Sequence, residues 1–199
     1  FTMGNHTFAK KEVLNDFDSF TNIVRPLNFE ESYPGKGVNI YDHKGLKIIT
    51  INALGQVFMG PATNPFTAIE TALNELKEKD AIIIVDFHGE ATSEKQAIGW
   101  FLDGKVSITF GTHTHVLTHD ERILPEGTGY ISDIGMTGAE NSLLGMEKEP
   151  IIQKFINQIP CRHAPPKTDD VILNGALFTI DTLTKKTVNI IPIKKRYTL

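Results

Sequence analysis

Ala81-Ile82-Ile83-Ile84-Val85-Asp86-Phe87-His88 is a run of apolar residues that ends in an acid, an aromatic ring and an imidazole. An apolar run that does not alternate marks a strand covered on both faces, as strands of parallel sheets are. Asp86 and His88 then stand together at a strand exit, two residues apart and on one face. Downstream, Ser93-Glu94-Lys95-Gln96 has the form of a capping box, Ala97 to Phe101 is apolar-rich, and Gly104 can stop the helix. Val106 to Phe110 reads as a second strand, which Gly111-Thr112-His113-Thr114-His115 leaves. Two strands separated by a helix, each ending in histidine, form the βαβ unit that gathers ligands at the carboxyl edge of a sheet.

The same alternation continues outward. Leu46 to Leu54 is β-branched and bounded by glycines, and it pairs with Val38 to Tyr41 across Asp42-His43-Lys44-Gly45 as a hairpin. Asn64 caps and Pro65 opens a helix whose apolar positions Phe66, Ile69, Ala72, Leu73 and Leu76 keep the helical period up to a charged end at Lys77 to Asp80. Thr128 to Ile131 reads as a strand and Gly135-Met136-Thr137-Gly138 as a turn. The Glu147-Lys148-Glu149 cluster reads as a solvated helix start, and Pro150 opens a helix carrying Ile151, Ile152, Phe155 and Ile156. Val171 to Ile180 and Thr187 to Ile193 form a closing hairpin. The expected class is α/β (α+β), with residues 1–199 as one domain.

Composition bounds the function. At 40% apolar and 22% charged the chain has the make-up of an ordinary globular protein. A net charge of -4 argues against a broad nucleic-acid footprint, although it leaves room for a metal-filled cleft. The single Cys161 cannot form an internal disulfide, and the longest clean apolar run, Ala81 to Val85, is too short to cross a bilayer. A reducing cytoplasm and no membrane are expected; a homo-oligomer is left open. Phe1-Thr2-Met3 carries neither an initiator Met at position 1 nor a signal-peptide profile, so Phe1 reads as a cut point with more of the same domain before it.

In an extended segment His113 and His115 would project from one face, roughly 6 to 7 Å apart at the backbone, a spacing suited to gripping one metal or two adjacent ones. Asp86-x-His88 and the early Gly4-Asn5-His6 turn add the mix of imidazole and oxygen donors that borderline divalent metals prefer. Asp86 reads as an orienter of His88 or a turn cap, and Asp133 as a loop carboxylate near the site or a turn residue. His43, His119 and His163 read as surface or structural residues, with His119 close enough to the ligand loop to touch substrate.

In chain order, Gly4-Asn5-His6, Asp86-Phe87-His88 and Gly111-Thr112-His113-Thr114-His115 resemble the later motifs of the metallophosphoesterase superfamily. The longer strings Val85 to Lys95, Gly111 to Val116 and Ile131 to Gly138 are similar to its calcineurin-like branch of bacterial 2',3'-cyclic-nucleotide 2'-phosphodiesterases. That resemblance implies a layered α/β/β/α sandwich whose N-terminal strands, with an early Asp and a Glu-Asn pair of ligands, precede Phe1. It implies that Asn5, His88, His113 and His115 ligate two divalent or transition-metal ions, Fe, Mn, Zn or Mg. His6 becomes the acid that protonates the leaving oxygen. Two cations about 3.5 to 4 Å apart would activate a bridging water against a small-molecule cyclic nucleotide or another phosphoester, opened at the 2' oxygen. The chain departs from the family where an aromatic and acidic pair is replaced by Phe8-Ala9. A metal-binding regulatory or scaffold protein with little turnover is the alternative. A cupin-like barrel also uses His-x-His, but the helical period from Pro65 to Lys77 opposes it.

Overall fold

The computed structural model describes residues 1–78 and 80–199, so the charged end expected at Lys77 to Asp80 is described without Lys79. Six strands form the larger sheet: β1 (Val38–His43), β2 (Leu46–Leu54), β3 (Ala81–His88), β4 (Ile108–Thr112), β5 (Arg122–Ile123) and β6 (Gly129–Ile131). Their order is β1-β2-β3-β4-β6-β5. β2, β3, β4 and β6 run parallel, whereas β1 and β5 join antiparallel at the two edges. The four parallel strands therefore deliver their carboxyl ends to one edge. β3 reaches His88 itself, three residues past the apolar run, because its ladder with β2 and β4 continues to Leu54 and Thr112.

Helices α1 (Lys11–Asp16), α2 (Pro65–Glu75), α3 (Thr92–Leu102) and α4 (Lys148–Asn157) complete the fold. α2 starts as expected: Asn64 Oδ1 accepts from the Phe66 amide at 2.9 Å, and Pro65 occupies the first turn. Ile69 from α2 and Ile98 and Leu102 from α3 pack with Ile49, Ile51, Val85 and Phe87 of the sheet in one fully buried cluster. Burying an aliphatic or Phe side chain contributes about 1.5–3 kcal/mol. This cluster therefore holds the strand exits in place.

The capping box at Ser93 is not used. α3 begins one residue earlier, at Thr92, and its N-cap Ala91 has no side-chain acceptor. Glu94 instead takes the amides of Gln56 and Val57 at 2.9 and 3.2 Å, tying the loop after β2 to α3. Lys95, inside that capping-box stretch, is buried with Ile98, Gly99 and Leu102.

The smaller sheet is antiparallel: β7 (Thr137–Ala139), β8 (Asp170–Ile180) and β9 (Thr187–Thr198). Thr137 and Gly138, expected in a turn, add a strand to the closing hairpin. Thr187 Oγ1 donates to the Ser107 carbonyl at 2.7 Å in a buried contact that joins β9 to the approach of β4. The mixed α/β class is as expected. α4 starts at Lys148, so Pro150 sits at its third position, and Ile152, Phe155 and Ile156 are exposed on it. Among the described residues no helix is long and apolar enough to cross a membrane.

Candidate metal centre

His88 and Thr112 are register partners at the ends of β3 and β4. The pairing sets His88 Nδ1 2.9 Å from Thr112 Oγ1, which also lies 2.8 Å from Asp86 Oδ1. A hydroxyl has one hydrogen. It goes to the acceptor-only carboxylate, and the hydroxyl oxygen accepts from Nδ1–H of His88. His88 Nε2 is left with a lone pair, directed at Asn5 Oδ1 at 3.0 Å and His113 Nδ1 at 3.1 Å. His113 Nε2 lies 3.0 Å from Glu90 Oε2 and donates there, which leaves His113 Nδ1 bare as well. A carboxamide oxygen and two imidazole nitrogens thus face one another with no hydrogen among them.

Such an arrangement needs a positive charge between its members. A proton is a poor choice: burial, then the charge of His113, pushes His88 down to about 3. Burial also lowers His113, although Glu90 opposes the shift. A divalent cation satisfies all three lone pairs, and mixed nitrogen and oxygen donors suit borderline metals. Among the described residues no three His, Cys, Asp or Glu side chains gather around a common metal position. The third donor here is the Asn5 carboxamide.

Outer contacts hold each donor. Asp86 is fully buried, and burial raises its carboxyl to about 6 against hydrogen bonds from Thr2 and Thr112. It is the orienter of His88, acting through Thr112. Gly4 brings Asn5 to the ring because a Cβ at Gly4 would lie 2.4 Å from His88 Cε1. The turn closes through the Thr7 amide on the Gly4 carbonyl at 3.1 Å. Phe8 then anchors it, stacked on Tyr33 and edge-on to Phe17, each at 5.0 Å between ring centroids.

The histidine pair does not lie on an extended segment. His113 and His115 both have positive φ, 102° and 66°, because β4 ends at Thr112 and the chain turns there. Asp133 enforces the turn: its Oδ2 accepts from the Thr114 amide at 3.0 Å and the Thr114 hydroxyl at 2.7 Å, while Oδ1 accepts from the Gly135 amide at 2.8 Å. Lys95 Nζ sits 2.7 Å from the same Oδ2, and both side chains are at most 3% exposed. Both readings of Asp133, turn residue and carboxylate near the site, are therefore true of it.

Of the expected site residues, Asn5, His88 and His113 come together. His115 is near enough to His113 for the two rings to repel when charged, but its Nδ1 contacts the Leu144 carbonyl at 3.0 Å. His6 is exposed on the Asn5 turn, within electrostatic range of His88. His43, His119 and His163 are exposed, and His119 contacts Glu121 at 3.2 Å. Glu90, Thr112 and Lys95 were not anticipated. Lys95 had a signal: it opens an i, i+3, i+4, i+7 stripe with Ile98, Gly99 and Leu102, where an isolated charge needs a buried partner. A cavity of 340 Å³ bordered by Glu70, Leu76, Ile83 and Lys105 lies toward the opposite end of β3.

Fold and cluster define a class: an α/β protein with an imidazole and carboxamide donor set at the carboxyl edge of a parallel sheet. The chain belongs to the YmdB-like protein family, whose model matches residues 1–193. It is 46% identical over 191 residues to 2',3'-cyclic-nucleotide 2'-phosphodiesterase of Bacillus subtilis, covering 95% of this chain and 71% of that one. A hypothetical protein from Thermus thermophilus has a similar crystal structure, with a TM-score of 0.90, 34% identity and coverage of 98% of this chain and 75% of that one. A novel phosphatase from Mycoplasma pneumoniae also matches at a TM-score of 0.90, with 37% identity and coverage of 98% and 71%.

Proposed function

We propose that this protein is a metal-dependent phosphodiesterase that opens 2',3'-cyclic nucleotides at the 2' oxygen. The observation that carries the reading is the convergence of Asn5 Oδ1 and His113 Nδ1 on His88 Nε2, at 3.0 and 3.1 Å. The named activity of the Bacillus subtilis relative supports the substrate class. Asn5, His88 and His113 would hold one ion. His115, donating Nδ1–H to Leu144, keeps Nε2 for a second ion. A bound divalent cation supplies a Lewis acid for the phosphoryl oxygens and lowers the pKa of its water.

The chain's own groups supply the rest. Asp86 and Thr112 keep His88 in its Nδ1–H tautomer, so Nε2 remains a donor atom. Glu90 does the same for His113 from the other side. His6, exposed beside Asn5, protonates the leaving 2' oxygen and is recharged from solvent. A purely structural metal site has no need of an exposed imidazole there, which favours the enzyme over the scaffold reading. Cytoplasmic residence belongs to the same proposal and rests on the free Cys161.

Metal analysis followed by assay tests it. Purified protein is expected to contain Fe, Mn, Zn or a similar ion and to hydrolyse 2',3'-cyclic mononucleotides or a model diester. Absence of both metal and turnover, persisting after reconstitution with each ion, would overturn the proposal.

A further inference from the structure

Beside His115 the surface opens into a groove of 390 Å³, bordered by Met136, Thr137, Leu144, Met146 and Pro165. We propose that this groove seats the nucleobase of the substrate; the inference rests on the phosphodiesterase reading above. Its volume falls within the roughly 300–1,000 Å³ of small-ligand sites, enough for one nucleoside.

The lining decides the chemistry. His115 is the one titratable side chain on it, so the groove suits an uncharged group and not a second phosphate. Two thioethers and two proline rings, Pro165 and Pro166, offer broad, polarisable apolar surface, and sulfur makes favourable contacts with aromatic rings. The Thr137 hydroxyl adds a hydrogen-bonding point for a base edge. An uncharged, flat, aromatic group with polar edges is what a nucleobase is.

The groove adjoins the histidine turn at His115, which borders it. Leu143 and Met146 exchange backbone hydrogen bonds of 2.9 and 3.0 Å, which closes the loop that forms one wall. Between them, the Leu144 carbonyl holds His115 Nδ1. A base in the groove would therefore lie against the imidazole that the proposed function assigns to a metal. In a 2',3'-cyclic nucleotide one ribose ring separates the base from the phosphate, which matches a groove that begins at the ligand itself.

Gly138 allows a clean test. It borders the groove, has no positive φ, and a Cβ added there would meet no atom within 4 Å. Gly138→Leu should keep the strand and fill the groove.

The chain has 4 methionines, and their 13C-methyl signals report nucleoside binding without metal or turnover. Adenosine or uridine is expected to shift Met136 and Met146 saturably, leave Met59 in place, and lose its effect in Gly138→Leu. In the metal-loaded enzyme, the kcat/KM ratio of 2',3'-cyclic AMP to bis(p-nitrophenyl) phosphate should fall about tenfold or more in Gly138→Leu, mainly through KM. Met146→Ala should lower the same ratio. Nucleosides that shift neither methionine, or an unchanged ratio in both variants, would overturn the proposal. So would methyl shifts that follow protein concentration instead of nucleoside, which would make a second copy of the chain the occupant. If the wild type hydrolyses neither substrate while adenosine still shifts Met136 and Met146, the phosphodiesterase reading falls and the nucleoside groove stands.

Discussion

One 2.9 Å hydrogen bond between His88 and Thr112, register partners at the ends of adjacent parallel strands, decides which ring nitrogen of His88 faces the donor cluster. The Asp86 carboxylate behind Thr112 fixes the direction of that bond. Thr112→Val keeps the side-chain shape and removes the relay. Metal affinity measured by competition with a chelator should then fall by about 10- to 100-fold, the usual effect of losing a ligand's hydrogen-bonded support. Unchanged affinity would show that His88 needs no such orientation.

Acid stability of the metal-free protein carries a signature of the same relay. The folded-state pKa of His88 is lowered from 6.5 to about 3, so between those values the unfolded chain takes up a proton that the folded chain refuses. Stability is lost as pH falls through that window, by at most about 1.4 kcal/mol per unit. Asp86 acts in the opposite sense: its folded-state pKa is raised from 3.8 to about 6, so acidification through that window adds stability. The two offset one another below about pH 6 in the wild type. Asp86→Asn removes the offset, so its denaturant midpoint should drop more steeply than the wild type's from pH 6 to 4. Parallel curves for the two proteins would count against this pairing of effects.

Lys95 and Asp133 make the third test. Lys95→Met leaves a buried carboxylate without its cation, a loss that typically costs about 3–5 kcal/mol. Adding Asp133→Asn removes the stranded charge and should recover only part of the stability, because the single amide oxygen can accept from the Thr114 side or from Gly135 but not from both. Urea unfolding of the three proteins checks this. A single variant within about 1 kcal/mol of the wild type would mean that the pair does not secure the histidine turn.

These contacts also show what a sequence can carry. The strand exits at His88 and Thr112 were legible because a continuous apolar run and a βαβ alternation are local patterns with one good solution. Asn64 and Pro65 announced α2 for the same reason. The turn after Thr112 was not legible, since His113 and His115 take positive φ only because Asp133, some twenty residues on, binds Thr114 between them. Glu94 and Lys95 do open α3, but their tertiary roles were not legible because their partners, Gln56, Val57 and Asp133, are distant in sequence. Phe8 stood out for the acid it lacks as a neighbour, yet its contribution is the aromatic packing that seats the Asn5 turn.

Ligation and proton transfer separate most directly in the metal content of His113→Ala and His6→Ala, measured per chain beside turnover of a 2',3'-cyclic nucleotide. His113→Ala removes a donor nitrogen, so bound metal should drop, and activity should return at least in part with excess metal. His6→Ala should hold metal near the wild-type level while turnover falls by about 10²- to 10⁴-fold, the range for loss of a positioned acid. A His113→Ala protein that retains its full metal content, or a His6→Ala protein that loses it, would contradict the assignment of these two histidines.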